Sequence, residues 1–294
     1  MMGPTQRSRK PSPRNVIVLS HFQATPLLHA RQAGQTAATT SSDLGLTTTQ
    51  VELQPEGVVF PTGEHLPWPG LKAIAGNETV CFAIENGVPR PIRGFSELTG
   101  RAYGLLPTPS APTLLVAGFP MHRIKDTNPH QDTLTKIKAV APISGNVLDT
   151  ATGLGYTAIE AARTAAHVTT IELDPVAQEI ARQNPWSQAL FNNPKITQLI
   201  GDSFDVIEQF EAEAFSCLLH DPPTVSLAGD LYSGAFYQQA HRVLKRHGRM
   251  FHYIGDPNSA TGARVTQGVI RRLREAGFAR VKPAPQAFGV VAQK

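Results

Sequence analysis

Beyond about residue 130 the chain alternates short apolar runs with amphipathic stretches, and this rhythm constrains its fold more than any other feature. NVLD, VTTIELD, KITQLIGD, SCLLHD and RMFHYIGD read as buried strands. Before and between them, DTLTKIKAVAPI, TAIEAARTA, PVAQEIARQN, SFDVIEQF, SGAFYQQAHRVLKRHG and TQGVIRRLREAG read as helices. Asp132 is the expected N-cap of the first helix, Pro175 stands in a first turn, and Gly248 and Gly277 close the last two helices. Strands alternating with helices make a parallel sheet covered on both faces. The last two strands, ARVKPAP and FGVVAQK, are joined by too short a link for a crossover, so they pair antiparallel. The expected class is α/β: a Rossmann-like sheet with an antiparallel C-terminal strand.

Upstream the rhythm differs. In residues 46–120, TQVEL, VVF, TVCFAIE, PRPIRGF, RAYGLLP and TLLVAGF are separated by turn signals such as PEG, PTGE and ENG. This predicts a small β-rich domain without a long helix. Residues 1–45 are rich in Ser, Thr, Gln, Ala and Pro, and QAGQTAATTSSD approaches low complexity, which predicts a disordered or weakly held leader. Residues 121–294 form the third unit. The two cysteines, Cys81 and Cys217, lie far apart and outside any metal-ligand spacing. They read as small core residues of a cytoplasmic protein, with no metal indicated. No run approaches the length of a membrane span. A net charge of +4 tolerates a polyanionic partner without requiring one.

In open α/β sheets ligands bind at the C-terminal ends of the strands. The first such end is VLDTATGLGYTAIEAA, where Asp149 and Thr150 precede a turn carrying Gly153 and Gly155. Glycines there let backbone approach a ligand closely. GLGYTA also fits GxGxxA, so a nicotinamide dinucleotide is a rival ligand. Asp149 would repel a pyrophosphate and suits a cation better. The second end places Glu172, followed by Leu173, at the spacing that puts a carboxylate on a ribose diol in either case. Asp174 reads as the N-cap before Pro175. The third end carries Asp202 and Ser203; Asp202 could accept from an adenine amino group or cap the next helix.

Three acidic strand ends in order, a glycine turn, and Asp221-Pro222-Pro223 on the fourth strand resemble the class I S-adenosylmethionine-dependent methyltransferases. The resemblance implies that Asp149 approaches the methionine moiety, Glu172 takes the ribose and Asp202 reads adenine. Thr150, Gly153, Gly155, Leu173 and Ser203 complete the cofactor loops. Ala151 departs from a glycine common in that class. In its amino-methyltransferases the loop after the fourth strand reads (Asp/Asn/Ser)-Pro-Pro-aromatic. A conjugated amine is a poor nucleophile, and two acceptors holding its hydrogens push nitrogen toward tetrahedral geometry. The resemblance assigns this catalytic role to Asp221 and the Pro222 carbonyl, with proline at 222 and 223 fixing the direction of the backbone. Thr224 stands where an aromatic stacks on the substrate. Tyr232 is the favoured substitute, ahead of Phe236, Trp186 and Tyr253, and His220 is expected in the core.

A narrower likeness carries over about residues 41–294, on GFPMHRIKDTNPHQDT, DTATGLGYTAIEAA, ELDPVAQEIARQNPWS, GDSFDVIEQ and HDPPTVSLAGDLYSGAFYQQAHRVL. These segments are similar to a mainly archaeal family of methyltransferases, one branch of which is associated with the exocyclic amine of a cytidine in small-subunit ribosomal RNA. The likeness implies RNA as partner, with Arg123 and Lys125 of MHRIK on phosphate. MHRIK could equally be a solvated hinge between domains, and His122 or Asp126 could roof the cofactor. Four alternatives stay open: a polyamine-type aminopropyltransferase, a methyltransferase of small amines, a non-catalytic RNA-binding protein and a dinucleotide oxidoreductase.

Overall fold

The computed structural model describes residues 16–294. Seven strands form one sheet: β1 Asn146–Asp149, β2 His167–Glu172, β3 Ile196–Ile200, β4 Phe215–His220, β5 Leu244–Tyr253, β6 Arg280–Ala284 and β7 Gly289–Gln293. Their order is β3-β2-β1-β4-β5-β7-β6. The pairs among β1 to β5 are parallel, and β7 runs antiparallel to both neighbours, as the short final link requires. Strand order reverses between β1 and β4, which opens a crevice at their C-terminal ends.

Alternation along the strands explains the layers. Val147 joins Val168, Ala158 and Val140 in the core on one face, while Leu148 joins Leu218, Met250, Phe236 and Val269 on the other. Both layers are closed by helices: Pro129–Val140 and Tyr156–Ala161 on the first side, Gly234–Val243 and Ala260–Glu275 on the second. Pro175–Gln183 begins at Asp174, whose side chain accepts from the Val176 amide, as the sequence indicated. Ala260–Glu275 ends before Gly277, whose φ is +104°.

Two boundary readings fail. Asp132 does not cap its helix; Asn128 does, accepting from the Gln131 amide, and Asp132 lies buried one turn in. Gly248 does not end a helix either. That helix stops at Val243 because Leu244 already pairs with Phe215. Lys245 to Gly248 fall where the β5 register shifts before Arg249 pairs with Cys217.

Residues 16–120 carry three small antiparallel sheets and the helices His21–Gln32 and Trp68–Ala75. The leader reading fails over residues 16–45; residues 1–15 lie outside the described residues. Ile17–Leu19 pairs with Phe82–Ile84, and Ser20 starts the first helix with a reciprocal capping box to Gln23. Leu27 packs inside with Trp68 and Leu71. The helix His21–Gln32 escaped notice because its buried face is only Ala24 and Leu27, and the low-complexity stretch after it carries the strand Ala37–Thr40.

The sheet Arg93–Ser96, Arg101–Leu106, Thr113–Val116 and Phe119–Pro120 closes over the crevice. Tyr103, Leu105 and Leu114 share a core with Leu154, Tyr156 and Ala177. Tyr103 and Thr99 hydroxyls donate to Asp174 Oδ2 at 2.8 Å each, and the Tyr156 hydroxyl donates to the Pro112 carbonyl. The two halves are thus one packed body around the site.

Candidate active site at the switch point of the sheet

A cavity of about 260 Å³ sits at the ends of β1, β2 and β4, lined among others by Thr150, Gly153, Glu172, Asp202, Asp221 and Pro222. Asp149 ends β1 with no exposed surface. Its Oδ2 accepts from the Thr170 hydroxyl at 2.8 Å, while Oδ1 has no partner among the described residues. Burial pushes its carboxyl up to about 7, against the Thr170 hydrogen bond. Thr150 donates its amide to the Leu219 carbonyl of β4, and the Ser203 hydroxyl donates to the Thr150 carbonyl at 2.6 Å. The two glycines have different tasks. Gly155 has φ +78°, and a Cβ there would lie 2.6 Å from Leu190; a Cβ on Gly153 would meet nothing within 4 Å.

Glu172 ties the turn together. Its Oε2 accepts from the Gly153 amide at 2.8 Å and its Oε1 from the Asp174 amide at 3.1 Å. Burial raises its carboxyl above the usual range, against those amides. Leu173 is exposed beside it on the cavity wall. Asp202 caps the helix Ser203–Val206 through the Phe204 amide at 2.8 Å and also lines the cavity. Both tasks weighed for this residue are compatible, because one oxygen suffices for the cap.

On the facing wall β4 delivers Asp221, Pro222 and Pro223. The Tyr232 hydroxyl donates to the Pro223 carbonyl at 3.1 Å. Tyr232 is buried among His220 and His252, so its ring does not front the cavity as the stacking reading expected. It fixes the second proline from behind. Phe236 is fully buried and Trp186 is turned to the Leu44 carbonyl. Thr224 is exposed and bonded to Ser226, outside the cavity wall. His220 is the expected core residue. The Leu231 carbonyl can only accept, so Nε2 carries the proton and Nδ1 accepts from the Thr150 hydroxyl at 2.6 Å. Burial lowers the ring to about 3, keeping it neutral. Both cysteines are buried and free.

Residues 132–260 match the family model of the methyltransferase small domain. A protein of Methanocaldococcus jannaschii, the uncharacterized protein MJ1233, is 45% identical over 237 residues, 80% of this chain and 80% of that one. The chain belongs to the S-adenosylmethionine-dependent methyltransferases. Putrescine N-methyltransferase 2 of Nicotiana tabacum is 27% identical over 100 residues, 33% of this chain and 28% of that protein. In fold, the chain is similar to spermidine synthase from Thermotoga maritima, with a TM-score of 0.55 and 16% identity over 74% of this chain and 75% of that one.

The residues of this methyltransferase fit its cofactor. An orphaned, buried carboxylate oxygen on Asp149 suits an ammonium group, and the open space beside Gly153 admits a ligand against backbone.

Sequence reading missed a charged cluster behind Asp221. Lys136 Nζ lies 2.6 Å from Asp221 Oδ2 and 2.7 Å from Asp132 Oδ2, with 1% of its side chain exposed. Its bond to Asp221 is a hydrogen bond; the contact with Asp132 is one of charge without good hydrogen-bond angles. Burial alone would lower the ammonium, but Asp221 and Asp132 outweigh it and hold it above the ordinary lysine range. Arg123 completes the row at 3.3 Å from Asp132. It also donates to the Gln286 carbonyl at 2.9 Å and lies over the Phe288 ring. Arg123 is therefore part of the scaffold rather than a free phosphate ligand, while Lys125 is exposed. The signal was available: Pro129, Asp132, Thr133, Lys136 and Val140 recur at helical spacing on one buried face. Arg101, also unremarked in the sequence, lines the cavity and reaches the Leu227 carbonyl at 3.4 Å.

Proposed function

We propose that this methyltransferase acts on nitrogen, on the exocyclic amine of a base in RNA, cytidine in ribosomal RNA being favoured. The observation that carries the reading is Asp221-Pro222 on the wall of the same cavity as the glycine turn. In this account Asp149, Glu172 and Asp202 hold the methionine, ribose and adenine parts of the cofactor, with Thr150, Gly153, Gly155, Leu173 and Ser203 shaping the loops. When bound, S-adenosylmethionine supplies an electrophilic methyl group on a sulfonium. Asp221 Oδ2 is committed to Lys136, which leaves Oδ1 to accept one N–H of the amine. The Pro222 carbonyl takes the other. Pro223 restricts Pro222 to extended backbone, and Tyr232 anchors the Pro223 carbonyl, so the carbonyl direction at Pro222 is set before substrate arrives.

RNA is supported by the resemblance of the whole segment 41–294 and by Arg101 on the cavity wall. A second reading, a small amine as acceptor, is favoured by the partial likeness to a putrescine N-methyltransferase. Both readings make nitrogen the acceptor atom. Mass spectrometry of ribosomal and transfer RNA nucleosides from a strain lacking the gene separates them. Loss of one methylated cytidine supports the RNA reading; an unchanged set of methylated nucleosides sinks it.

A further inference from the structure

The cluster Arg123–Asp132–Lys136–Asp221 has a property that bears on which amines the site accepts. Two cations face two carboxylates, so the group is neutral as a whole. Asp132 has none of its side chain exposed and Asp221 only 14%. Burying such charges is costly, and replacing a buried pair by apolar residues of similar volume is often neutral or stabilising. Stability therefore gives no reason for a lysine here. Position does, because Lys136 grips Asp221, the carboxylate of this cluster that reaches the cavity. The Tyr253 ring lies under the ammonium at 4.6 Å, closing its other side.

We propose that Lys136 is a positioning residue that sets the acceptor class: paired with Asp221, it leaves a directional hydrogen-bond acceptor with no net negative charge, so the site takes an uncharged planar amine and rejects an alkylammonium. This rests on Asp221 being the acceptor-binding group. A conjugated amine needs only its N–H bonds received. A diamine arrives protonated and needs uncompensated carboxylate to hold it. At Asp221 it meets a carboxylate already satisfied by a lysine.

Lys136 and Asp132 of the helix Pro129–Val140 act on Asp221, as do Asp149 from β1, Tyr253 from β5 and Tyr232 from the loop after β4. Arg123 and His122 act on the cluster through Asp132 and Lys136, and Glu172, Asp202 and Asp230 line the same cavity. Among them only Lys136 is a cation in direct contact with Asp221.

The test uses the full chain with S-adenosylhomocysteine bound. The Asp221 carboxyl is followed by ¹³C NMR against pH, and putrescine binding by calorimetry. In Lys136→Gln the Asp221 midpoint should rise by about 1–3 units, because an adjacent opposite charge is removed. Putrescine, not bound by the parent at millimolar concentration, should gain affinity by roughly tenfold, one pKa unit's worth of charge interaction. Lys136→Arg, which keeps the charge, should restore both. An unchanged Asp221 midpoint, or putrescine binding equally well to parent and variant, overturns the proposal. Should Lys136→Gln fail to fold, Asp132→Asn serves instead. It leaves Lys136 to Asp221 alone and should lower the midpoint; no change overturns the proposal. None of these readouts uses RNA, so failure of the RNA reading is recognised separately, by the nucleoside analysis.

Discussion

Asp149 shows how burial shifts a carboxylate at a strand end. Its carboxyl is raised to about 7 from the usual carboxylate range, so the folded chain binds more protons than the unfolded chain below that pH. Without cofactor, the stability from this group falls as pH rises from about 4 toward 7. An ammonium beside Oδ1 favours the ionised form and reverses the trend. Cofactor binding at pH 6 should therefore release protons, and affinity should rise toward pH 8. Calorimetry in buffers of different ionisation enthalpy measures this; binding at pH 6 without proton release would contradict it. Asp221 differs, because in the proposed function it holds the acceptor. Asp221→Ala should leave cofactor affinity within a factor of a few and reduce turnover by about 100-fold or more. Equal loss of both would give Asp221 a different role. At this scale the placement of the acids at strand ends was legible, because each closes an apolar run before a turn; that Asp149 would be fully buried was not. Lys136 was not: inside TLTKIKAV it resembles a solvated lysine until helical spacing places it on the buried face. Tyr232 was legible as close to the loop after β4 but not in direction, since its ring turns into the core.

Among the elements, the turn between β1 and the helix Tyr156–Ala161 joins fold to site most tightly. Gly155 is needed for packing and Gly153 for space. Gly155→Ala puts a Cβ against Leu190 at a positive φ and should cost about 1–3 kcal/mol, read as a drop in melting temperature. Gly153→Ala meets no neighbour and should cost only backbone strain of about 1 kcal/mol while weakening cofactor binding. If the two variants lose stability equally, this division of roles is wrong. Periodicity revealed the strands and most helices here, yet their boundaries needed tertiary facts. The helix before β5 could not be ended from sequence, because Leu244 leaves it to pair with Phe215.

For the molecule as a whole, the structure joins what composition divided. Residues 16–45 bury Ile17, Val18, Leu19, Leu27 and Leu44, side chains whose burial contributes about 10 kcal/mol in sum, comparable with a whole domain's stability. A chain beginning at residue 46 should lose the fold of its β-rich half and bind a hydrophobic dye; an unchanged melting temperature would show that the segment is dispensable. That half roofs the cavity through Arg101, Tyr103, Leu114 and Val116. Substrate must enter past it, so its loss should abolish activity even where cofactor still binds. Its closure over the crevice was not readable from sequence, because the Thr99 and Tyr103 contacts to Asp174 join residues far apart in the chain. The proposed reaction is methyl transfer to a base nitrogen in RNA. The most direct measurement incubates purified protein and methyl-labelled S-adenosylmethionine with ribosomal RNA from a strain lacking the gene, alongside putrescine. Label is expected on the exocyclic nitrogen of a cytidine and none on putrescine. Label on putrescine, or on no RNA nucleoside, would contradict it.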